Sequence, residues 1–139
     1  MTISCLQDQL RRDEGWRTYP YQDTVGKLTI GYGRNLSDVG VSPAEGIDML
    51  RNDIRAAQVA LESHFPWVMG LDSVRMGALT NLCFNMGIGA LSGFKDMLEK
   101  VKDGDYKGAS FALLISKYAK QVGPRAQRLA LQLETGEWQ

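Results

Sequence analysis

One short segment in the first third of the chain has the pattern of a β-strand preceded by a turn. From Leu28 to Tyr32, apolar residues alternate with small or polar ones, and this period of two predicts a strand. The Asp-Thr-Val-Gly of residues 23–26 is typical of a turn, because aspartate hydrogen-bonds the backbone that follows it and glycine accepts a positive φ. The sequence therefore predicts a β-hairpin that brings Asp23 close to Thr29.

The remaining segments predict helices, so we expect a mainly α-helical (α+β) fold. A first helix ends at Gly15, and a long helix starts at residues 42–45, whose Ser-Pro-Ala-Glu combines a cap, a first-turn proline and a glutamate three residues after the cap. No segment after residue 36 alternates as a strand does. Further helices are predicted over residues 73–86 with a break at Gly87, after a cap at Ser92, over residues 106–115, and from Pro124 to Gly136.

The chain length of 139 residues is that of a single domain. Within it we expect two lobes joined by the long helix. The N-terminal lobe, about residues 14–60, would hold the hairpin. The helical lobe, about residues 66–139, would also include the N-terminal helix, residues 3–14.

Composition excludes several classes of function. The formal net charge is zero, so there is no bulk attraction to nucleic acid or to a membrane surface. One histidine and two cysteines argue against a metal site or a disulfide framework, and we expect no metal and no cofactor. The N-terminus has neither a basic leader before an apolar run nor a span of membrane length, which predicts no signal peptide and no membrane insertion.

Two carboxylates and a hydroxyl cluster around the predicted hairpin. Glu14 falls in the last turn of the first helix, where the helix dipole disfavours an ionised carboxylate and so suits a proton donor. Together with Asp23, Thr29 and the aromatic residues between them, it fits glycosidic bond hydrolysis, in which one carboxylic acid protonates the leaving oxygen and a second carboxylate acts at the sugar carbon or on water. The alternative is that Glu14 is a solvated surface carboxylate.

A wider pattern of motifs is more specific. Glu14 is followed after eight residues by Asp23, and then come Lys-Leu-Thr-Ile-Gly-Tyr-Gly at residues 27–33, Asn-Leu-Cys-Phe-Asn-Met-Gly at residues 81–87 and Thr-Gly-Glu-Trp at residues 135–138. This pattern, which runs over nearly the whole chain, closely resembles the phage-type lysozymes, the muramidases of glycoside hydrolase family 24. The resemblance implies a two-lobed, mainly helical lysozyme-like fold and cleavage of the β-1,4 bond between N-acetylmuramic acid and N-acetylglucosamine in peptidoglycan.

The resemblance also implies roles for the three residues of the hairpin region. Glu14 would be the general acid. Asp23 would position the attacking water or stabilise positive charge at the sugar carbon, and Thr29 would hold that water or orient Asp23. The residues themselves leave inversion and retention open, while the resemblance favours inversion.

By the same resemblance, other residues would line the substrate cleft. The candidate substrate-binding residues are Asn81, Phe84, Asn85, Phe94, Lys117 and Gln121. For each of them the alternative is ordinary packing or a solvated surface. Arg125, in the first turn of the last helix, would contact Glu14 and orient it. The sequence departs from the family at Arg34, where well-studied members have histidine in an acid–histidine pair, and at Tyr118, where tryptophan is usual.

The expected partner is bacterial peptidoglycan, with no nucleic acid, and the expected state is a monomer. The protein would accumulate in the host bacterial cytoplasm until a holin-type membrane protein permeabilises the membrane, and would then act on the cell wall in the periplasm. One alternative is a lytic transglycosylase, which cleaves the same bond with one essential acid and no water. It would leave an anhydro-sugar in place of a new reducing end, and Asp23 and Thr29 would be dispensable. Another is a non-catalytic cell-wall binding module, against which the intact Glu14, Asp23 and Thr29 argue.

Overall fold

The structure is a computed structural model that describes residues 3–139. The α-helices span Ile3–Glu14 (α1), Pro43–His64 (α2), Ser73–Ser92 (α3), Lys95–Lys102 (α4), Tyr106–Leu114 (α5), Lys117–Val122 (α6) and Pro124–Thr135 (α7). The strands are Arg17–Gln22 (β1), Leu28–Gly31 (β2) and Arg34–Asn35 (β3), and a 3₁₀ helix covers Pro66–Gly70. The mainly α-helical (α+β) fold with a small N-terminal sheet is therefore confirmed. Over the same residues, no helix combines the length and the apolar content needed to cross a membrane.

The sheet is antiparallel, with the strand order β1-β2-β3. Tyr21 of β1 lies opposite Thr29 of β2, which confirms the predicted hairpin. β2 ends at Gly31, earlier than the alternation suggested, because Gly31 and Gly33 take φ values of 68° and 80° and turn the chain. The turn leads into β3, a two-residue strand that the sequence did not predict.

α1 ends where the sequence predicted. The N–H of Gly15 donates to the carbonyl of Arg11 at 3.0 Å, and its φ of 70° closes the helix in the left-handed region that favours glycine. α1 also contacts the turn between β2 and β3, since Nε of Arg11 donates to the hydroxyl of Tyr32 in that turn at 3.1 Å. Just after α1, the rings of Trp16 and Tyr32 lie 4.9 Å apart. These contacts place Glu14, the last residue of α1, beside the hairpin.

α2 begins with the predicted reciprocal cap. The N–H of Ser42 donates to Oε1 of Glu45 at 2.9 Å, and the N–H of Glu45 donates to Oγ of Ser42 at 3.1 Å. Arg34 of β3 also binds this glutamate through both of its terminal nitrogens. The hydrogen bond from Arg34 is the largest of the effects that lower the pKa of Glu45 to about 2. The residue that departs from the family's histidine therefore fixes the sheet to the start of α2.

The chain divides into two compact units, Met1–Met49 and Leu50–Gln139. The boundary falls within α2. Among the described residues of the first unit, Thr29 is the only buried one, with 5% of its surface exposed. The lobe boundaries expected from the sequence, and the place of the N-terminal helix with the helical lobe, stay predictions.

The second unit contains the hydrophobic core. Its largest fully buried side chains are Leu61, Val68, Leu79, Leu82, Leu91, Met97, Val101, Leu113 and Leu133. They come from α2 to α5, α7 and, for Val68, the 3₁₀ helix, and α5 packs extensively against α7. Cys83 is also buried here as a free thiol, and burial raises its pKa. This core fixes α3, which carries three of the candidate cleft residues, and α7, which carries Arg125.

α3 is interrupted at the predicted position but continues further than expected. Gly87 has a φ of 83° and a ψ of 158°, which kinks the helix before it resumes as far as Ser92. The prediction that Ser92 caps the next helix is wrong. Its hydroxyl instead donates back to the carbonyl of Ile88 at 2.7 Å, a local bond open to serine inside a helix, and α4 begins after Phe94 without a side-chain cap.

Arg75 of α3 holds the C-terminal end of α7. Its Nε donates to the carbonyl of Leu133 at 2.7 Å and its Nη2 to that of Glu134 at 3.0 Å. The guanidinium lies 3.5 Å from the centre of the Tyr106 ring. Carbonyls in the last turn of a helix have no partner within the helix, so Arg75 satisfies two of them. α7 is thereby fixed against α3.

Candidate active site

Asp23 is the first residue of the turn between β1 and β2, and its own side chain builds that turn. Oδ1 accepts hydrogen bonds from the N–H groups of Val25 at 3.0 Å and Lys27 at 2.8 Å. The Asp23 backbone adds a bond from its N–H to the Lys27 carbonyl at 2.9 Å. Oδ2 accepts no hydrogen bond from residues 3–139. The turn thus fixes one carboxylate oxygen and leaves the other available.

Thr29 of β2 also binds the backbone of Lys27. Its Oγ1 donates to the Lys27 carbonyl at 3.1 Å, the acceptor that also receives the Asp23 N–H. Because Thr29 is buried, its hydroxyl has a fixed set of neighbours. The hairpin therefore brings Asp23 and Thr29 together, as the sequence predicted, with the backbone of Lys27 between them.

The Glu14 carboxylate rests against a glycine of the next turn. A methyl group placed on the Cα of Gly33 would lie 2.9 Å from Oε2 of Glu14 and 3.2 Å from its Cδ, closer than side-chain carbons approach other atoms. Gly33 also has a φ of 80°, a conformation that other residues rarely adopt. Sequence reasoning did not assign Gly33 to the site, although its place in the Gly-Tyr-Gly motif was a signal.

The first unit also carries exposed aromatic side chains. Trp16 and Tyr19 are both exposed, and the Trp16 indole N–H donates to Oγ1 of Thr18 at 3.0 Å. The guanidinium of Arg17 lies 4.6 Å from the centre of the Tyr21 ring. Aromatic faces of this kind suit the apolar faces of sugars, while the neighbouring carboxylates suit the glycosidic bond.

On the second unit, three of the predicted cleft residues share one exposed face of α3. Asn81, Phe84 and Asn85 are separated by three and four residues, the spacing of one helix face, and all three are exposed. Arg125 of α7 donates from Nε and Nη2 to Oδ1 of Asn81 at 3.1 and 2.7 Å. Because a guanidinium only donates, Asn81 must accept through its oxygen, and its amide N–H groups remain available.

Asn85 has a similar partner in α6. The hydroxyl of Tyr118 donates to Oδ1 of Asn85 at 2.7 Å. Burial raises the pKa of that hydroxyl, and the charge of Arg125 acts in the opposite direction. The edge of the Tyr118 ring meets Phe94, with the ring centres 6.4 Å apart. Tyr118, which replaces the family's usual tryptophan, thus orients the Asn85 amide, a role that sequence reasoning missed.

The other predicted cleft residues are placed differently. Phe94 is half-buried and packs against the core, so ordinary packing accounts for part of its surface. Lys117 and Gln121 are exposed one turn apart on α6. Neither forms a side-chain hydrogen bond with any residue in the described part of the chain. The expected contact of Arg125 with Glu14 stays a prediction.

A pocket of about 410 Å³ in the second unit adjoins the α3 face. Its lining includes Leu50, Ile54, Asn81, Phe84, Arg125 and Trp138. Trp138 packs so closely on Gly77 that a methyl group added there would overlap its ring. The pocket therefore joins the polar Asn81–Arg125 pair to an apolar surface, a combination typical of small-molecule sites.

Comparison with known proteins shows the family of the chain. The family model for phage lysozyme matches residues 11–132. An endolysin of Acyrthosiphon pisum secondary endosymbiont phage 1 is 32% identical, over 84% of this chain and 80% of its own length. Probable T4-type lysozyme 2 of Dictyostelium discoideum is 27% identical, over 96% of each chain.

The pre-baseplate central spike protein Gp5 of Enterobacteria phage T4 is 28% identical over 94% of this chain, which spans 28% of the length of Gp5. The residues matched by the family model include Glu14, Asp23 and Thr29 as well as the α3 face and Arg125. The chain therefore belongs to the phage lysozyme family.

Proposed function

We propose that this phage lysozyme hydrolyses the β-1,4 bond between N-acetylmuramic acid and N-acetylglucosamine in bacterial peptidoglycan, with Glu14 and Asp23 as its two carboxyl groups. One observation carries the proposal. The first unit holds Glu14 against Gly33 and anchors both Asp23 and Thr29 on the backbone of Lys27. Two carboxyl groups and a hydroxyl in one compact unit are the equipment of a glycoside hydrolase.

Glu14 acts as the general acid. Its carboxylic acid gives a proton to the glycosidic oxygen as the bond to the muramic acid C1 breaks, and N-acetylglucosamine leaves with a free 4-hydroxyl group. The absence of a side chain on Gly33 leaves room for this carboxyl group. Arg125 is proposed to orient it.

Asp23 acts as the partner carboxylate. Its Oδ2, free of hydrogen bonds from the described residues, accepts a proton from the attacking water or stabilises the positive charge that develops at C1. The water oxygen bonds to C1, so the product carries a new reducing end. Thr29 is a positioning residue, because its hydroxyl holds the Lys27 carbonyl of the turn that presents Asp23. We expect inversion at C1.

The α3 face is proposed to bind the sugar chain. Since Arg125 and Tyr118 occupy the oxygens of Asn81 and Asn85, the amide N–H groups can donate to acetamido carbonyls or sugar hydroxyls. Phe84 between them offers an apolar ring to a sugar face. The other members of the proposed substrate surface are Phe94, Lys117 and Gln121.

The proposal also covers how the enzyme reaches its substrate. It accumulates in the host cytoplasm as a monomer and reaches the wall after a holin-type protein permeabilises the membrane. The name endolysin, carried by relatives in an endosymbiont phage and in Salmonella phage P22, supports this route. Cells that express the protein alone should stay intact until chloroform opens the membrane, and prompt lysis without that treatment would contradict the route.

The deciding experiment is digestion of purified peptidoglycan, followed by analysis of the fragment ends. We expect new reducing ends on muramic acid from the wild type and from Asp13→Asn, and none from Glu14→Gln, since the amide has no acid proton to give. Asp13 is a neighbouring exposed carboxylate of α1 and so serves as a matched control. Anhydro-sugar ends would identify a lytic transglycosylase, and binding without cleavage would identify a cell-wall binding module.

A further inference from the structure

α5 presents an apolar face that is largely exposed. Phe111 and Ile115 are each 62% exposed, and Leu114 is 43% exposed. Their separations of three and four residues place them on one side of the helix, with Ile115 as its C-cap residue in helical conformation. Lys107, one turn before Phe111, is also exposed on that side. We call these four residues the Phe111 face.

The sequence around this face is strongly cationic although the protein is neutral as a whole. Between Tyr106 and Leu133 there are five cationic residues and no acidic one. Lys107, Lys117, Lys120 and Arg128 are exposed. The nearest acid before α5, Asp105, is engaged as the helix cap, with Oδ1 accepting from the Gly108 N–H at 3.0 Å.

We propose that the Phe111 face binds the surface of an anionic lipid bilayer, an interaction beyond the proposed hydrolysis. Aromatic and aliphatic side chains on one side of a helix can enter the boundary between headgroups and acyl chains, and nearby lysines then meet the lipid phosphates. A second copy of the chain is a poorer occupant, because a symmetric contact would bring two cationic segments together. The bilayer satisfies both the apolar side chains and the charge.

One exposed apolar residue of α2, Val59, lacks this setting. Val59 of α2 is also exposed, but Arg55 and Glu62 flank it one turn away on either side. A face with both signs of charge has no net attraction to an anionic surface. Val59 and Arg55 therefore supply a matched control for the Phe111 face.

The test is co-sedimentation of the full chain with vesicles of phosphatidylglycerol and phosphatidylcholine in equal amounts, and with vesicles of phosphatidylcholine alone. We expect binding to the mixed vesicles that weakens at high salt. Phe111→Gln with Ile115→Gln should lower it by roughly tenfold or more, since two apolar side chains no longer enter the boundary. Lys107→Gln with Lys120→Gln should lower it by roughly 30-fold, as expected for two fewer charges near the surface.

Arg55→Gln with Val59→Gln should bind as the wild type does, and all three double variants should cleave soluble peptidoglycan fragments at the wild-type rate. Three results would overturn the proposal. They are equal binding to both kinds of vesicle, an equal loss of binding in Arg55→Gln with Val59→Gln, and competition by glycerol phosphate at the same phosphate concentration. Concentration-dependent dimerisation that Phe111→Gln abolishes would also overturn it, because the face would then bind a second copy.

Discussion

Asp23 and Thr29 are joined through the backbone of a single residue. The Asp23 carboxylate accepts the N–H of Lys27, and the Thr29 hydroxyl donates to the carbonyl of the same residue. A displacement of Thr29 is therefore transmitted to the turn that orients the carboxylate. The pairing of Tyr21 with Thr29 across the hairpin keeps the two residues in this register.

Replacement of Thr29 should test this link. In Thr29→Val the shape is kept but the hydroxyl is lost, so we expect kcat to fall by roughly 10- to 100-fold through misplacement of Asp23. The free energy of unfolding should fall by about 1 kcal/mol for the lost hydrogen bond. Thr29→Ser keeps the donor and should retain most activity. Steady-state kinetics and urea denaturation of both variants measure these effects. If Thr29→Val lost stability while its kcat stayed unchanged, Thr29 would have only a structural role.

Gly33→Ala should damage the enzyme in two separable ways. The positive φ alone should cost about 1–2 kcal/mol of stability, and the added methyl group should also displace the Glu14 carboxylate. Gly104→Ala is the matched control, because Gly104 has the same φ of 80° but no atom within 4 Å of an added methyl group. We expect both variants to lose similar stability and only Gly33→Ala to lose most of its activity. Equal activity in the two variants would show that Glu14 needs no space at Gly33.

Acid should weaken the protein through Glu45. Its pKa is lowered in the folded state from an ordinary value of 4.5 to about 2, with the hydrogen bond from Arg34 as the largest cause. The stabilisation by this group is therefore complete above about pH 4.5 and is lost as the pH falls from there through about 2. Urea denaturation over this range should show a shallower pH dependence for Glu45→Gln, which keeps the cap but not the charge. Arg34→Met should reduce the slope in the same way, and unchanged slopes in both variants would contradict the assignment.

Double-mutant cycles can separate the two partners considered for Arg125. The observed hydrogen bonds to Asn81 predict a coupling of about 0.5–1 kcal/mol between Arg125→Met and Asn81→Ala, small because the pair is exposed. The predicted contact with Glu14 requires a second coupling between Arg125→Met and Glu14→Gln, together with a shifted pH–activity profile in Arg125→Met. Both cycles are measured by urea denaturation. Strict additivity in the second cycle, with an unmoved profile, would remove the Glu14 contact.

Local chemistry made much of the fold predictable. The hairpin turn at Asp23, the glycine stops at Gly15 and Gly136, and the cap formed by Ser42 and Glu45 each depend on residues within a few positions of one another. Such features can be recognised in the sequence because the hydrogen-bonded residues are only a few positions apart. β3 could not be predicted in this way, since a strand of two residues has no periodicity and forms only by pairing with β2.

In the candidate site too, local contacts could be predicted from the sequence and long-range contacts could not. The position of Asp23 beside Thr29 followed from the hairpin. Asn81 and Asn85 were predicted from the family resemblance, and their spacing of four residues places both on one face of α3. The partners of those two amides could not be inferred, because Arg125 and Tyr118 lie 44 and 33 residues away along the chain. Ser92 was misassigned although all of its possible partners are local. Its hydroxyl could accept from an N–H of the following helix as a cap or donate back to the Ile88 carbonyl, and the sequence does not distinguish these two bonds.

The two backbone amides that bind the Asp23 carboxylate should report on its state in an NMR spectrum. The N–H groups of Val25 and Lys27 lie 3.0 and 2.8 Å from Oδ1, so a proton, a water or a sugar that reaches this carboxylate changes the polarisation of both bonds. In a nitrogen–proton correlation spectrum these two peaks should move together during a titration or on addition of glycan. The ionisation and occupancy of one side chain thereby become readable from main-chain signals of the intact protein.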